Sequence, residues 1–186
     1  MERDTLPLIT VSGPPASGTS TLTTTLSESL DFELINGGDI FRELAAEKDL
    51  SLAELTELSE EDDSIDRELD ARLADIIEAH ATGERTPDGN GLIIESRLAG
   101  WHGFGYTDMA VFLTASQKTR YNRTEGRVET LEELKRREKS EADRYMKYYG
   151  ADMYEMELYD VILNTERFTP DMVFEIVKSG VEQIES

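Results

Sequence analysis

The sequence lacks cysteine and is poor in the side chains that bind transition metals. Of its 186 residues none is cysteine, and the two histidines, His80 and His102, are far apart along the chain. This composition excludes disulfides, thiolate zinc sites and thiol catalysis. Long apolar runs are also missing, and the first residues, MERDTLPLITV, lack the basic and apolar regions of a signal peptide. We therefore expect a cytoplasmic protein with no membrane partner. We expect one domain over residues 1–186, because this length fits a single hydrophobic core.

Positive charge is scarce. The chain has 19 Lys and Arg, only six of them Lys, against 40 Asp and Glu, and its net charge is −21. Disorder is one interpretation of so much charge, but the regular apolar patterns described below argue against it. A field of this sign repels phosphate backbones, so we expect no nucleic-acid partner. An acidic, lysine-poor surface is typical of proteins that stay soluble in a cytosol of very high salt.

The positive charge that is present concentrates in one window. Residues 118–147 carry ten basic and seven acidic side chains, so this window is positive while the rest of the chain is strongly negative. At molar salt the screening length falls to about 3 Å, so distant acids matter little to an anion that contacts arginine directly. The window is therefore a candidate anion site. A solvated helix of mixed charge explains the same count equally well.

Short apolar runs alternate with helical patterns along the whole chain. The runs predict buried strands at residues 8–11, 32–35, 92–94, 110–113 and 161–163. Leucines at every fourth position predict a helix over 22–30, and further amphipathic patterns cover 40–45, 65–77 and 172–181. Ser51 and Glu54 have capping-box spacing, and Thr169–Pro170 resembles a helix start. This alternation predicts an α/β fold with a parallel sheet.

The stretch VSGPPASGTSTLTTTL, residues 11–26, has the spacing of a phosphate-binding loop. Gly13 and Gly18 are separated by four residues, as in the common pattern, but Thr19 stands where that pattern has lysine. Backbone amides of residues 15–20 and the following helix N-terminus can point at phosphate oxygens, and the Ser20 hydroxyl lies where such loops supply a ligand to Mg²⁺. A missing charge-assisted hydrogen bond weakens binding by about 1.5–3 kcal/mol without removing the loop amides. A simple Gly/Pro turn is the alternative.

Three further stretches of the sequence resemble one particular family of kinases. GGDIFREL (37–44), IIESRLAGW (93–101) and YYGADMYEMELYDVILNT (148–165) resemble archaeal-type cytidylate kinases of the nucleoside monophosphate (NMP) kinase family, and the likeness runs from about residue 8 to about 181. It implies a P-loop, three-layer fold with a five-stranded parallel sheet, and a single kinase domain with a core (6–36, 91–117 and 158–186), a helical NMP-binding region (37–82) and a lid (about 120–150). It also implies a monomer that transfers the γ-phosphoryl group of ATP to CMP or dCMP with Mg²⁺.

The resemblance also implies roles for individual residues. Asp39, Arg42 and Arg97 would bind the acceptor NMP, and Glu95 would order water on the Mg²⁺ that Ser20 ligates. Both arginines follow strand-like runs, which places them where open α/β sheets bind ligands. The donor phosphates of ATP would be bound by Gly13, Pro14, Pro15, Ala16, Ser17, Gly18, Thr19, Ser20 and Thr21.

The lid arginines would neutralise charge on the transferring phosphoryl group. The resemblance places them in the basic window, where the candidates are Arg123, Arg127, Arg137 and Arg144, with Arg120 and Arg136 as further possibilities. An arginine in this role can contribute about 10³–10⁵ in rate. We predict that Arg123 or Arg127, with Mg²⁺ and the loop amides, supplies the positive charge that Thr19 does not.

Two alternatives to a cytidylate kinase stay open at the level of sequence. A kinase of the same architecture could act on AMP or another small acceptor, because spacing does not reveal the base pocket. A non-catalytic nucleotide-binding regulator could have kept the fold and lost turnover with the lysine.

Overall fold

The fold is built on one parallel β-sheet, as predicted. The structure, a computed structural model, describes residues 5–124 and 130–184, so Arg127 lies outside the described residues. The strands are β1 (Leu8–Ser12), β2 (Glu33–Asn36), β3 (Leu92–Glu95), β4 (Met109–Thr114) and β5 (Val161–Asn164), in the spatial order β2-β3-β1-β4-β5. All four pairings are parallel.

Strand register brings three carboxyl ends together. Val11 and Asn36 both pair with Glu95, on opposite sides of β3. Because β3 lies between β1 and β2, the residues that follow these strands share one edge of the sheet. This edge is where open parallel sheets bind ligands.

Helices cover both faces of the sheet. They are α1 (Thr19–Leu30), α2 (Gly37–Glu47), α3 (Leu52–Glu61), α4 (Asp63–Ala81), α5 (Ala99–His102), α6 (Gln117–Arg123), α7 (Leu131–Tyr149) and α8 (Pro170–Ile184), with a 3₁₀ turn at Met156–Leu158. The Ser51–Glu54 capping box forms at the start of α3, and α8 begins at Pro170, as predicted. Strand β2 starts one residue later than predicted, because the Phe32 amide donates to Ser27 O at the end of α1, at 3.1 Å, and does not join the sheet.

Alternating strand residues feed apolar cores on opposite faces of the sheet. Ile9 and Val11 pack with α1 and α8 on one face, whereas Leu8, Leu92 and Ile94 pack with α2, α3 and α4 on the other. This period-two alternation explains the three-layer arrangement of helix, sheet and helix. Within the two described ranges, no helix is both long enough and apolar enough to cross a membrane.

Candidate functional site

The loop between β1 and α1 forms a tight concave turn. Ala16 and Gly18 have positive φ, 59° and 104°, and the Ser17 amide donates to Pro14 O at 3.1 Å. The turn packs closely against β4: a Cβ on Gly13 would lie 2.5 Å from Leu113 O. Glycine is therefore required at position 13 by close approach, and at position 18 by its backbone conformation.

Three arginines bind backbone carbonyls of this loop. Each donates from Nη1 to a loop carbonyl: Arg97 to Gly13 O (3.2 Å), Arg120 to Pro15 O (3.1 Å) and Arg123 to Ala16 O and Ser17 O (3.2 and 3.4 Å). The N–H of a peptide group points away from its C=O, so the contacts at Pro15 O and Ser17 O leave the Ala16 and Gly18 amides facing the interior of the turn. Inward backbone amides of this kind make an anion-binding concavity.

Ser20 and Glu95 lie side by side at the start of α1. Ser20 Oγ donates to Glu95 Oε1 at 2.9 Å, and Glu95 Oε2 accepts from Thr23 Oγ1 at 3.2 Å and from the Asn36 side-chain amide. The Glu95 side chain is buried, and its three donors fix its orientation. A hydroxyl and a carboxylate are the oxygen donors that Mg²⁺ prefers when phosphates and water complete its shell, so these residues fit the ion. The described residues contain no cluster of three or more acidic or histidine side chains that could hold a metal by themselves.

Arg42 and Asp39 form a local pair at the start of α2. Arg42 Nη2 donates to Asp39 Oδ1, and both side chains are more than half exposed. Asn36 caps the same helix by accepting from the Gly38 amide at 2.7 Å. The Arg42 guanidinium is thus displayed at the sheet edge beside the Asn36–Glu95 contact.

Arg97 connects the loop to helix α7. Its Nε donates to Glu141 Oε2 at 3.2 Å while its Nη1 binds the loop carbonyl of Gly13. Arg137 also approaches Glu141, at 3.8 Å. The predicted acceptor arginine and a predicted lid arginine therefore meet at one carboxylate.

Arg144 and Arg120 bind partners that the sequence did not indicate. Arg144 Nε donates to Asp66 Oδ2 on α4 at 2.6 Å, so this predicted lid arginine lies on the α4 side of α7. Arg120 is nearly fully buried and binds Glu138 on α7 as well as the loop. Arg120 thus holds α7 against the loop.

A cavity of about 530 Å³ opens beside the N-terminus of α1. Its polar edge includes Ser17, Gly18 and Arg123, and its apolar wall includes Phe168 and Phe174. Arg123 is fixed there by Thr165, whose Oγ1 lies 2.9 Å from Arg123 Nη1. A mostly apolar pocket of this volume with a few polar groups is typical of small-ligand sites.

Sequence reasoning missed several side chains of this site. Asn36 and Thr23 orient Glu95, and Glu141 binds Arg97, yet none was a candidate. The Asn-Gly-Gly that follows a strand could have indicated Asn36, because asparagine caps helices. Thr23 and Glu141 look like ordinary helix residues, and only the tertiary fold gives them partners.

Comparisons with known proteins agree with this geometry. The AAA domain family matches residues 9–146. Cytidylate kinases of Halobacterium salinarum and Natronomonas pharaonis are each 42% identical to the chain over 180 and 179 residues, which is 94% of this chain and 89% and 88% of theirs. The crystal structure of shikimate kinase from Bacteroides thetaiotaomicron matches the fold with a TM-score of 0.64 at 14% identity, covering 95% of this chain and 99% of that one. With this sequence likeness over nearly its whole length, the chain belongs to the cytidylate kinase family.

Proposed function

We propose that the protein transfers the γ-phosphoryl group of ATP to CMP or dCMP by Mg²⁺-assisted in-line displacement, giving ADP and the nucleoside diphosphate. The acceptor comes from the relatives, whose name is cytidylate kinase. The reaction type is supported by the loop, the Ser20–Glu95 pair and the arginines around them. Such a site needs positioning and electrostatic stabilisation rather than a protein nucleophile.

One contact carries this proposal: Arg97 follows β3 and binds the carbonyl of Gly13 in the loop. An arginine that touches the donor loop can hold the acceptor phosphate directly beside the donor phosphates. Its Glu141 partner is an anion that the acceptor phosphate would replace. Arg42, exposed at the same edge, would be a second acceptor ligand.

Ser20 would ligate Mg²⁺ directly, and Glu95 would hold a water of its shell. When bound, the ion neutralises charge on the β- and γ-phosphates of ATP. Thr23 and Asn36 keep the Glu95 carboxylate turned toward Ser20, so this chain positions the ligands before nucleotide binds.

The arginines on the loop would replace the missing lysine. Arg123 is the strongest candidate among the described residues, because it binds the loop at Ala16 and Ser17 and also lines the cavity. Arg127, Arg137 and Arg144 remain predicted lid residues. The cavity itself fits the donor base, with the apolar wall at Phe168 and Phe174 against the ring.

The proposed reaction also gives roles to the three predicted regions of the domain, which are the core, the NMP-binding region and the lid. Helices α2–α4 would form the acceptor region, α6 and α7 the lid, and the sheet with α1 and α8 the core. We also propose that the enzyme works at high salt, since its net charge is −21 and the relatives above come from Halobacterium and Natronomonas.

The test is ADP release from ATP in molar KCl with CMP, dCMP, UMP, AMP and shikimate as separate acceptors. Turnover with CMP or dCMP supports the proposal. Turnover with AMP or shikimate alone would identify a different kinase, and nucleotide binding without turnover would identify a regulator.

Arg97→Lys tests the contact that carries the proposal. Lysine keeps the charge but cannot bind a phosphate and the Gly13 carbonyl with one planar fork, so kcat/KM for CMP should fall about 10- to 100-fold. Arg85→Lys is the matched control, because Arg85 binds Glu33 at the other end of β2. Equal kinetics for both variants would remove Arg97 from the site.

A further inference from the structure

The residue that follows β5 lies between the loop and one arginine of the site. Thr165 comes directly after Asn164, the last residue of β5, and is 8% exposed. Its amide donates to Thr114 O at the end of β4, at 2.8 Å. Beyond it, the Glu166 and Arg167 amides donate to Asn164 Oδ1 and O, both at 3.0 Å. The sheet and this turn therefore fix the backbone of Thr165.

The Thr165 hydroxyl joins the loop to Arg123. Arg123 Nη1 donates to Thr165 Oγ1 at 2.9 Å. The same Oγ1 lies 2.8 Å from Ser17 O in the loop and 3.2 Å from Thr114 O, and both of these oxygens are acceptors. A hydroxyl donates one hydrogen and accepts at two lone pairs, so the shorter distance favours Ser17 O as its acceptor. One hydroxyl thus accepts from the arginine and donates to the loop.

Thr165 holds the Arg123 guanidinium more tightly than the loop does. Besides the bond to Oγ1, Arg123 Nη2 donates to Thr165 O at 2.8 Å, so both terminal nitrogens bind this one residue. The bonds from Nη1 to Ala16 O and Ser17 O are longer, at 3.2 and 3.4 Å. Since N–H···O bonds are most common at about 2.9–3.0 Å, the two loop contacts are the weaker ones. Thr165 therefore sets the position of the guanidinium.

Arg123 needs a support of this kind because of where it lies. It is in the last turn of α6, and the residue is exposed. An unsupported arginine side chain at such a position samples many rotamers, and ordering it during the reaction raises the barrier. The bonds to Thr165 order it beforehand. They do so with neutral oxygens, which leave its positive charge available to an anion.

We propose that Thr165 is a positioning residue for phosphoryl transfer: it holds Arg123 where the guanidinium supplies the positive charge that Thr19 does not. In this role Thr165 does not contact the reacting atoms and acts through Arg123 alone. Both residues line the cavity beside α1, so the arginine is held at the edge of the site assigned to the donor nucleotide. This inference rests on the proposed function, since it assumes that Arg123 neutralises charge on the transferring phosphoryl group.

The first test replaces Thr165 with valine, which keeps the shape of the side chain and removes the hydroxyl. Loss of one hydrogen bond to a charged group should lower kcat with CMP about 10- to 100-fold. The KM for CMP should change less than about twofold, because Arg97 and Arg42 are untouched. Thr165→Ser keeps the hydroxyl and should retain kcat within about threefold. An unchanged kcat in a folded Thr165→Val enzyme would overturn the assignment.

Thr10→Val is the matched control for the loss of a buried hydroxyl. Thr10 lies in β1 and is fully buried, and its hydroxyl is 3.4 Å from Thr107 Oγ1, before the start of β4. This exchange leaves the loop contacts and Arg123 in place, so kcat should stay within about twofold of the unmodified enzyme. An equal fall in kcat for both valine variants would be a general effect on the core and would contradict the positioning role.

The second test is a double-mutant cycle with Arg123→Lys, because lysine keeps the charge but cannot bind Thr165 through two nitrogens. If Thr165 acts through Arg123, Thr165→Val should lower kcat less than about twofold in the Arg123→Lys background. A purely structural role would lower kcat by the same factor in both backgrounds, and the proposal would then be wrong. Should Thr165→Val not fold, Thr165→Ala removes the same hydroxyl without adding a methyl group in its place, and the cycle is measured with that variant. If the unmodified enzyme turns over no acceptor, the proposed function itself is wrong.

Discussion

Replacing Gly13 with alanine tests whether the shape of the loop matters as much as its composition. The added Cβ would lie 2.5 Å from Leu113 O, 2.6 Å from Ser17 Oγ and 3.1 Å from Thr19 Cγ2. Ordinary van der Waals contact begins at 3.4 Å. Leu113 O belongs to β4, which is paired on both sides, so the loop and not the strand has to move.

The size of the effect follows from this overlap. Overpacking of a rigid site costs about 1–3 kcal/mol, which lowers the melting temperature by about 3–10 °C for a chain of this length. Because the displaced segment carries the amides proposed to bind phosphate, the KM for ATP should rise about 5- to 30-fold, whereas the KM for CMP should change little. Differential scanning calorimetry and initial-rate kinetics measure the two effects separately.

Gly180→Ala is the matched control. Its Cβ would lie 3.0 Å from Met109 Sδ, the flexible end of a side chain, and the position is inside α8. Alanine favours a helix over glycine by about 1 kcal/mol, so this variant should be as stable as the original chain or more stable, with the same KM for ATP. If Gly13→Ala behaves like Gly180→Ala in both measurements, the tight-loop argument fails.

Three other predictions concern the metal, acid and salt. Ser20→Ala should lower kcat at least about tenfold and raise the Mg²⁺ concentration needed for half-maximal rate; an unchanged Mg²⁺ titration would remove Ser20 from the metal site. Hydrogen bonds from Ser116 and Thr119 lower the pKa of Glu166 to about 2. A carboxylate whose pKa falls on folding stabilises the protein above its unfolded pKa. In urea unfolding, Glu166→Gln should therefore show its full loss of stability at pH 6, and this loss should vanish as the pH falls from 4.5 toward 2. A loss of stability that does not depend on pH would contradict this. Raising KCl from 0.1 to 2 M should stabilise the protein by about 2 kcal/mol, which raises the melting temperature by about 4–8 °C, because salt screens repulsion in a chain of net charge −21. A lower melting temperature at 2 M KCl would refute the repulsion argument.

The elements that sequence predicted correctly depend on local physics. The strand at 92–94 is apolar, two of its three residues are β-branched, and all three side chains are fully buried. The capping box of Ser51 and Glu54 is satisfied within four residues. Such signals need no knowledge of the rest of the chain, so the sheet and the helices α1–α4 and α8 could be predicted from the sequence, whereas α5, α6 and α7 were not.

The partners of the arginines could not be predicted in the same way. Spacing places Arg137 and Arg144 on one face of α7, but their partners differ in kind: Arg137 approaches Glu141 on α7 itself, whereas Arg144 binds Asp66 on α4. Only the second contact depends on how α7 lies across α4. Asp70 is the clearest case: in sequence it belongs to an acidic amphipathic helix, and only the packing of α5 and α7 buries it.

The acidity of the chain explains why Arg123 stands apart from the other arginines of the site. Arg97, Arg42 and Arg144 are each held by a carboxylate, so a phosphate that binds them has to displace one negative charge with another. Such an exchange adds little electrostatic free energy. Arg123 is held by neutral carbonyl and hydroxyl oxygens, which leave its charge available to an incoming anion. We therefore expect the positive charge that Thr19 omits to come first from Arg123, and the carboxylate-bound arginines to contribute selectivity and position more than binding energy.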